Sequence, residues 1–248
     1  MPHPPPAPTP TAAVVTGAST GIGYAICADL LAQGHEVVSL ALEHCPIAHP
    51  KLHSIQVDLT DRAATAQVMQ TLAQRFALTT VVHNAGAIRP APLPEVRRED
   101  LNALAALHLG CAVQIVQAAL PAMRARRFGR VVLLSSRAAL GWAGRSSYSA
   151  TKAGMSGMAR TWALELAPEG ITVNVVAPGP VRTDMYRAVV PAGSAQERAL
   201  IASIPVQRLG EAADVARAVR FFTDAGSGFV TGQVLYVCGG TSVGGLLL

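Results

Sequence analysis

An α/β fold, doubly wound around a parallel sheet, is predicted by three observations. Short runs rich in Val, Ile, Leu and Ala alternate with longer stretches of helical spacing along the 248 residues. The short runs are apolar almost without interruption, as strands are when helices cover both faces of their sheet. No internal repeat or low-complexity linker divides the chain after Thr11, so a single domain of ordinary size holds them all.

Residues 1–11 carry six of the 17 prolines and no apolar core segment, which predicts a flexible tail rather than a signal peptide or a helix. Residues 12–248 form the domain. Within it, β-branched runs at 13–16, 36–41, 54–57, 79–83, 130–135, 171–177 and 233–237 predict seven buried strands. Helical spacing at 21–33, 62–76, 101–125, 147–167 and 211–222 supplies the crossovers that parallel strands require. The stretch from Pro178 to Ser203 is rich in Pro, Gly and Ala and only weakly helical. A lid over a substrate, at about 180–205, suits such an excursion.

Composition narrows the function. Half of the residues are hydrophobic and 14% are charged, enough apolar surface for one buried core, which excludes a disordered chain. No apolar run is expected to approach the roughly 18 to 20 residues that cross a bilayer, so a soluble protein with a cytoplasmic address is expected. Cys27, Cys45, Cys111 and Cys238 lie far apart and read as reduced thiols. The net charge is +5, but the one dense basic stretch, Arg124, Arg126, Arg127 and Arg130, lacks interleaved aromatics, and no nucleic-acid partner is expected. His44, Cys45, His49 and His53 are spaced too irregularly for a metal site, and none is read.

The first strand runs into Thr16-Gly17-Ala18-Ser19-Thr20-Gly21-Ile22-Gly23 and then a helix. Glycines let the backbone turn tightly and approach a pyrophosphate, while the free N–H groups at the start of the helix attract its charge. The turn therefore predicts a Rossmann-like dinucleotide site, although three glycines alone would also suit a tight turn or a helix cap.

Only two of the 20 basic residues are lysines, Lys51 and Lys152, which singles out the second, four residues after Tyr148. On a helix that spacing sets both side chains on one face, a turn apart. A phenol with an ordinary pKa near ~10 is a poor proton carrier at neutral pH, and a neighbouring ammonium is expected to bring it down toward the working range. Ser135 and Ser136 end the fifth strand, at the sheet edge where open α/β proteins bind ligands.

Together with Asn84-Ala85-Gly86 and Pro178-Gly179, these motifs resemble the short-chain dehydrogenase/reductase family, in order from about Ala13 to Gly240, and within it the 3-oxoacyl-carrier-protein-reductase-like members. The resemblance implies an NAD(P)-dependent oxidoreductase that moves hydride between the nicotinamide and a ketone or secondary alcohol. Tyr148 is then the acid/base, Lys152 its partner and a ligand of the nicotinamide ribose, and one serine the orienter of the substrate oxygen. Ser136 stands twelve residues before Tyr148 and is chosen, although the more usual separation would select Ser135. The fourth catalytic position, usually Asn, falls on His108, which either substitutes for the asparagine, disables its relay or is a satisfied core residue. His83 replaces a second common Asn and is expected to pack or bond locally.

The same resemblance assigns Gly17, Ser19, Thr20, Gly21, Ile22 and Gly23 to the pyrophosphate, Asp58 and Leu59 to the adenine, and Asn84, Ala85 and Gly86 to the adenosine ribose. Pro178, Gly179, Val181 and Thr183 meet the carboxamide end, with Tyr148 and Lys152 beside them. The acidic marker of NAD falls on Ala41, while the arginines expected for a 2′-phosphate are absent at Thr20 and Leu42. Glu43 would repel that phosphate, so the expectation leans slightly to NAD, with NADP open. Substrate is expected to meet Arg182, Met185, Tyr186 and Arg187 on the lid and a wall of Leu140, Gly141 and Trp142, which suits a cyclic ketone or a 3-oxoacyl thioester. A homotetramer is implied, with Leu246, Leu247 and Leu248 against a neighbour. The alternative, suggested by His108, is a nucleotide-binding sensor or scaffold that lost catalysis.

Overall fold

A computed structural model describes residues 9–243 of the chain. Seven strands, β1 (Thr11–Thr16), β2 (Glu36–Ala41), β3 (Leu52–Gln56), β4 (Ala77–His83), β5 (Gly129–Leu134), β6 (Ile171–Pro178) and β7 (Val234–Val237), form one sheet in the order β3-β2-β1-β4-β5-β6-β7. Every pairing is parallel. The Rossmann-like, doubly wound α/β fold expected from the sequence is the fold observed.

Side chains of successive strand residues face opposite ways, so each strand feeds two cores. Val14, Val38, Val81, Val131 and Val173 turn toward α2 (Arg62–Arg75), α4 (Cys111–Arg126) and α5 (Ser146–Leu166), where they meet Met69, Ile115, Met123 and Met155. Ala13, Val15, Val37, Val82, Val132 and Val176 turn toward α1 (Gly21–Ala32) and α8 (Ala212–Thr223), meeting Ile26, Leu30, Val215, Val219 and Phe222. Burial on both faces explains why the strands read as continuous apolar runs. The chain leaves β1 for α1 on one side and returns to β4 on the other, so the crevice opens at the carboxyl ends of β1 and β4.

Three local expectations are corrected. The single helix expected over 101–125 is α3 (Arg98–Ala105), a π-helical turn at Ala106–Gly110, and then α4. The wider turn shifts the helical register and points His108 inward, where it is fully buried. The merged stretch Arg98–Arg126 is also long and apolar enough to cross a membrane by length and composition, against the expectation that no run would be. Its apolar residues Leu104, Ile115, Val116, Ala119 and Met123 instead pack inside the molecule. The tail ends earlier than Thr11: Arg126 donates to the Thr9 carbonyl at 2.8 Å, Ala77 N–H donates to the Pro10 carbonyl, and Thr11 is already in β1.

The excursion after β6 folds into two short helices, α6 (Asp184–Arg187) and α7 (Ala195–Ser203). Each begins at a hydroxyl cap, Thr183 accepting from Tyr186 N–H and Ser194 from Glu197 N–H. All four cysteines are unpaired and buried. The dense arginine stretch is used internally: Arg124 pairs with Glu169 at 2.5 Å, Arg127 donates to the Pro168 carbonyl, and Arg130 to the carbonyls of Asp224 and Ala225. Leu246, Leu247 and Leu248 lie outside the described residues.

Candidate active site

A cavity of about 840 Å³ follows the carboxyl edge of the sheet from the glycine loop to the lid. Its floor is the turn between β1 and α1, where Gly17 and Gly21 have φ of 63° and 55°, a region that other residues enter at a cost. Packing excludes side chains here as well. A Cβ on Gly23 would lie 2.1 Å from the Gly17 carbonyl oxygen, and one on Gly17 would lie 2.8 Å from Ala85 Cα. Gly23 is thus buried behind the loop, outside the cavity wall, and serves its shape.

Two groups hold this loop. Thr16 Oγ1 accepts the N–H groups of Asn84 and Ala85 at 3.0 and 2.9 Å, and Asn84 Nδ2 donates to the carbonyls of Thr16 and Gly17. The Asn84 amide is therefore occupied with the loop. No side chain caps α1 and no acidic residue stands in its first turn, so its leading N–H groups are left for an anion. Ser19, Thr20, Ile22, Ala41, Leu59, Asn84, Ala85, Gly86, Pro178, Gly179, Val181 and Thr183 line the same cavity. Asp58 does too, with Oδ1 accepting from Thr60 N–H and Oγ1–H, which hold its carboxyl below the usual carboxylate range. A shaped glycine turn, an uncapped helix start and a row of small residues fit a dinucleotide.

At the far end, Tyr148, Lys152 and Ser136 come together in the wall. Ser135 is the buried member of the serine pair and donates to the Lys152 carbonyl at 2.7 Å, while Ser136 lies beside the Tyr148 phenol. Burial raises the phenol pKa above 10, against the neighbouring Ser136 hydroxyl and the Arg145 guanidinium, which lower it. This differs from the expected tuning by Lys152. The ammonium sits 5.7 Å from the phenol ring centre and donates to the Leu134 carbonyl at 2.7 Å. With only one oxygen partner among the described residues, and burial pressing its pKa to about 7, Lys152 keeps donors free for hydroxyls in the cavity.

His108 does not reach the cavity; it lies behind Gly86, 3.1 Å from where a Cβ would be. Its Nε2 accepts the Ala87 N–H at 3.2 Å, which assigns the proton to Nδ1, and Nδ1–H donates to Thr151 Oγ1 at 2.8 Å. Burial, then repulsion from Lys152 and His83, hold its pKa down at about 2, so the ring is neutral. His83 bonds locally, as expected: Thr16 Oγ1–H donates to Nδ1 at 3.1 Å and Nε2–H donates to the Leu107 carbonyl at 3.1 Å.

The substrate end corrects several expectations. Met185, Tyr186 and Trp142 line the cavity, but Leu140 and Gly141 do not. Arg182 faces Glu211 at 3.6 Å, and Arg187 donates to Glu197 at 2.7 Å, so neither lid arginine serves the cavity. Glu43 is exposed and outside the wall, which on this side ends with Ala41 and Leu42. Solvent therefore screens the repulsion on which the lean to NAD rested. The wall also includes Ile88, Arg137, Arg145, Val189 and Leu200, which sequence reasoning missed. Of these only Arg145, three residues before the tyrosine, carried a positional signal.

The family model adh_short_C2, described as enoyl-(acyl carrier protein) reductase, matches residues 17–242. The 3-oxoacyl-[acyl-carrier-protein] reductase FabG of Salmonella typhimurium is 34% identical over 236 residues, 92% of this chain and 96% of that one. The (2S)-[(R)-hydroxy(phenyl)methyl]succinyl-CoA dehydrogenase subunit BbsD of Thauera aromatica is 35% identical over 242 residues, covering 93% and 96%. Among solved structures, a Beutenbergia cavernae protein described as an NAD(P)-dependent gluconate 5-dehydrogenase superposes with a TM-score of 0.84 at 30% identity, covering 94% of this chain and 96% of its own, with NADP at low occupancy. An Agrobacterium tumefaciens protein described as a 2-deoxy-D-gluconate 3-dehydrogenase, with bound NADP, gives 0.83 at 30% over the same shares.

Proposed function

The chain belongs to the short-chain dehydrogenase/reductase family and is an NAD(P)-dependent oxidoreductase of carbonyl and alcohol groups, and from that premise we propose that Tyr148 moves the proton, with Ser136 and Lys152 beside it, in a single domain covered by the lid at 180–205. The observation that carries this is the meeting of the three side chains in one cavity wall, the phenol against the Ser136 hydroxyl and the buried ammonium one helical turn along.

Hydride would be supplied or taken up at the carbonyl carbon by a nicotinamide held along this cavity. Ser136 donates to the substrate oxygen and fixes its place. Tyr148, kept protonated by burial, gives its proton to that oxygen as negative charge develops there, and in the reverse direction takes the alcohol proton. A phenol held neutral is poised for reduction. Lys152, with N–H donors left free beside its bond to the Leu134 carbonyl, would hold the ribose hydroxyls. His108, with both ring nitrogens engaged, holds the loop after β4 against α5 and takes no proton. The scaffold alternative rested on that histidine, and its bonding supports a holding role compatible with turnover.

NADP(H) is the cofactor proposed. No carboxylate stands at Ala41 to claim a ribose 2′-hydroxyl, Glu43 is exposed outside the wall, and the structural neighbours above hold NADP. Substrates are ketones and secondary alcohols. A homotetramer, with Leu164 and Phe229 among the exposed apolar side chains available for contact, is proposed and is checked by sedimentation. For the mechanism the test is Tyr148→Phe: turnover of a ketone panel with NADPH falls by about 100-fold or more while calorimetric NADPH affinity stays within about threefold. Residual turnover near the wild-type rate refutes it.

A further inference from the structure

Most arginines in this chain have partners, and Arg62, Arg98 and Arg160, which show none among the described residues, lie outside the cavity wall. Arg89 and Arg97 meet Asp100, Arg208 and Arg217 meet Asp214, and Arg187 meets Glu197. Arg137, also in the cavity wall, donates to the Thr241 carbonyl and lies over the Trp142 ring. Arg145 is different. Its Nη1 is shielded from solvent with no hydrogen-bond partner, and among the described residues no carboxylate pairs with it. The surrounding backbone is nevertheless fixed: Arg145 N–H donates to the Trp142 carbonyl, Ser149 N–H donates to the Arg145 carbonyl, and Ala91 N–H donates to the Gly144 carbonyl.

Arg145 is half-buried in the cavity wall; its Nη1 is closed off, and with no acidic partner among the described residues its charge is left for a group in the cavity to balance at the remaining N–H donors. Arg145 stands at the N-cap position of α5 without capping it, three residues before Tyr148, and both side chains line the same cavity. Its charge acts on the reacting phenol, whose pKa it lowers. Trp142, Met185, Val189 and Leu200 add apolar wall, and Tyr186 and Gln196 add uncharged polar groups. The acidic side chains of the wall do not answer it: Asp58 is bonded to Thr60 and Asp184 is exposed at the start of α6.

We propose that Arg145 is a specificity-determining residue, and that the substrate is an oxo acid, or its hydroxy acid, whose free carboxylate binds this guanidinium while its carbonyl oxygen meets Tyr148 and Ser136. This deepens the oxidoreductase reading and rests on it. One unpaired cation balances one monoanion, and its planar fork matches a carboxylate. A neutral thioester or cyclic ketone would leave it unpaired. The carboxylate and carbonyl are then a few bonds apart, as in 2-oxo to 5-oxo acids.

The test measures binding to the enzyme–NADP+ complex, which cannot reduce a ketone. Calorimetric titration compares 2-, 3-, 4- and 5-oxo carboxylates with their methyl esters, using wild type, Arg145→Gln and Arg145→Lys. At least one free acid binds about tenfold or more tightly than its ester, the preference vanishes in Arg145→Gln, and Arg145→Lys restores part of it. Esters that bind as tightly as acids throughout overturn the proposal. So does an Arg145→Gln variant that weakens acid and ester equally, since that places the role of Arg145 on Tyr148 alone. Because no turnover is needed, a protein that reduced no ketone would fail the oxidoreductase reading while still answering this one.

Discussion

Acid should loosen this fold well before its carboxylates protonate. His83 and His108 are buried and neutral, with pKa values pressed down to about 3 and about 2, by burial first and then by Lys152. In the unfolded chain each returns to about 6.5. A base with a depressed folded pKa takes up fewer protons folded than unfolded, so its stabilising share is complete above pH 6.5 and is lost as pH falls below it. The slope is about 1.4 kcal/mol per pH unit for each ring. Between pH 7.5 and 5 the pair therefore removes about 4 kcal/mol, a large fraction of the roughly 5–15 kcal/mol that holds a domain together. Carboxylates with lowered pKa, such as Asp214 at about 2, act below this window. Urea unfolding followed by far-UV circular dichroism, at fixed protein concentration and at pH 7.5, 6 and 5, reads the effect. His83→Asn and His108→Asn should each flatten the dependence by about 2 kcal/mol over that range, whatever they do to stability at pH 7.5. Parallel pH dependences in wild type and both variants would refute the reasoning.

Three other perturbations separate the parts of the site. Gly23→Ala puts a Cβ 2.1 Å from the Gly17 carbonyl oxygen and 2.6 Å from Asn84 Nδ2; the loop must shift, and NADPH affinity measured by fluorescence should fall about tenfold or more. Ala41→Asp places a carboxylate in the wall at the end of β2, and the ratio of kcat/KM for NADPH over NADH should fall about tenfold or more as a 2′-phosphate is repelled. Glu197→Gln weakens the strap in which one oxygen accepts from Arg187 at 2.7 Å and the other from Gly193 N–H at 2.6 Å. Steady-state kinetics should show KM for the ketone rising several-fold with kcat changed less, because the strap fixes the lid and not the reacting groups.

What could be read from the sequence follows from how local each signal is. Strand runs buried on both faces announce themselves, and β2 was located to the residue. The glycine turn, Tyr148 and Lys152 were legible because their chemistry depends on short spacings. The π-helical turn at Ala106–Gly110 was not, since a single widened turn leaves apolar periodicity nearly intact and is fixed by distant partners, Ala87 and Thr151. The lid arginines misled for a related reason. Charge and position suggested that Arg182 and Arg187 face substrate, but their partners Glu211 and Glu197 come from later in the chain. Arg145 was overlooked because what distinguishes it, a lack of partners, exists only after folding.

The two histidines that replace the family's common asparagines are best understood as a single change. Thr16 gives its hydroxyl proton to His83, His83 gives its Nε2 proton to the Leu107 carbonyl, and the next residue, His108, joins Ala87 N–H to the Thr151 hydroxyl. Thr151 in turn donates to the carbonyl of Ser147 or Tyr148, both at 3.1 Å. Every donor in this line has an acceptor, and it runs from the cofactor loop at the end of β1 to the helix that carries Tyr148 and Lys152. An asparagine at either place is too short to span what an imidazole spans, so losing one ring strands partners that the other relies on. The line passes behind the cavity without entering it. His108 therefore bears on the site through where it holds Gly86, Ala87 and α5, which leaves the proposed proton step to the Tyr148 phenol in front of it.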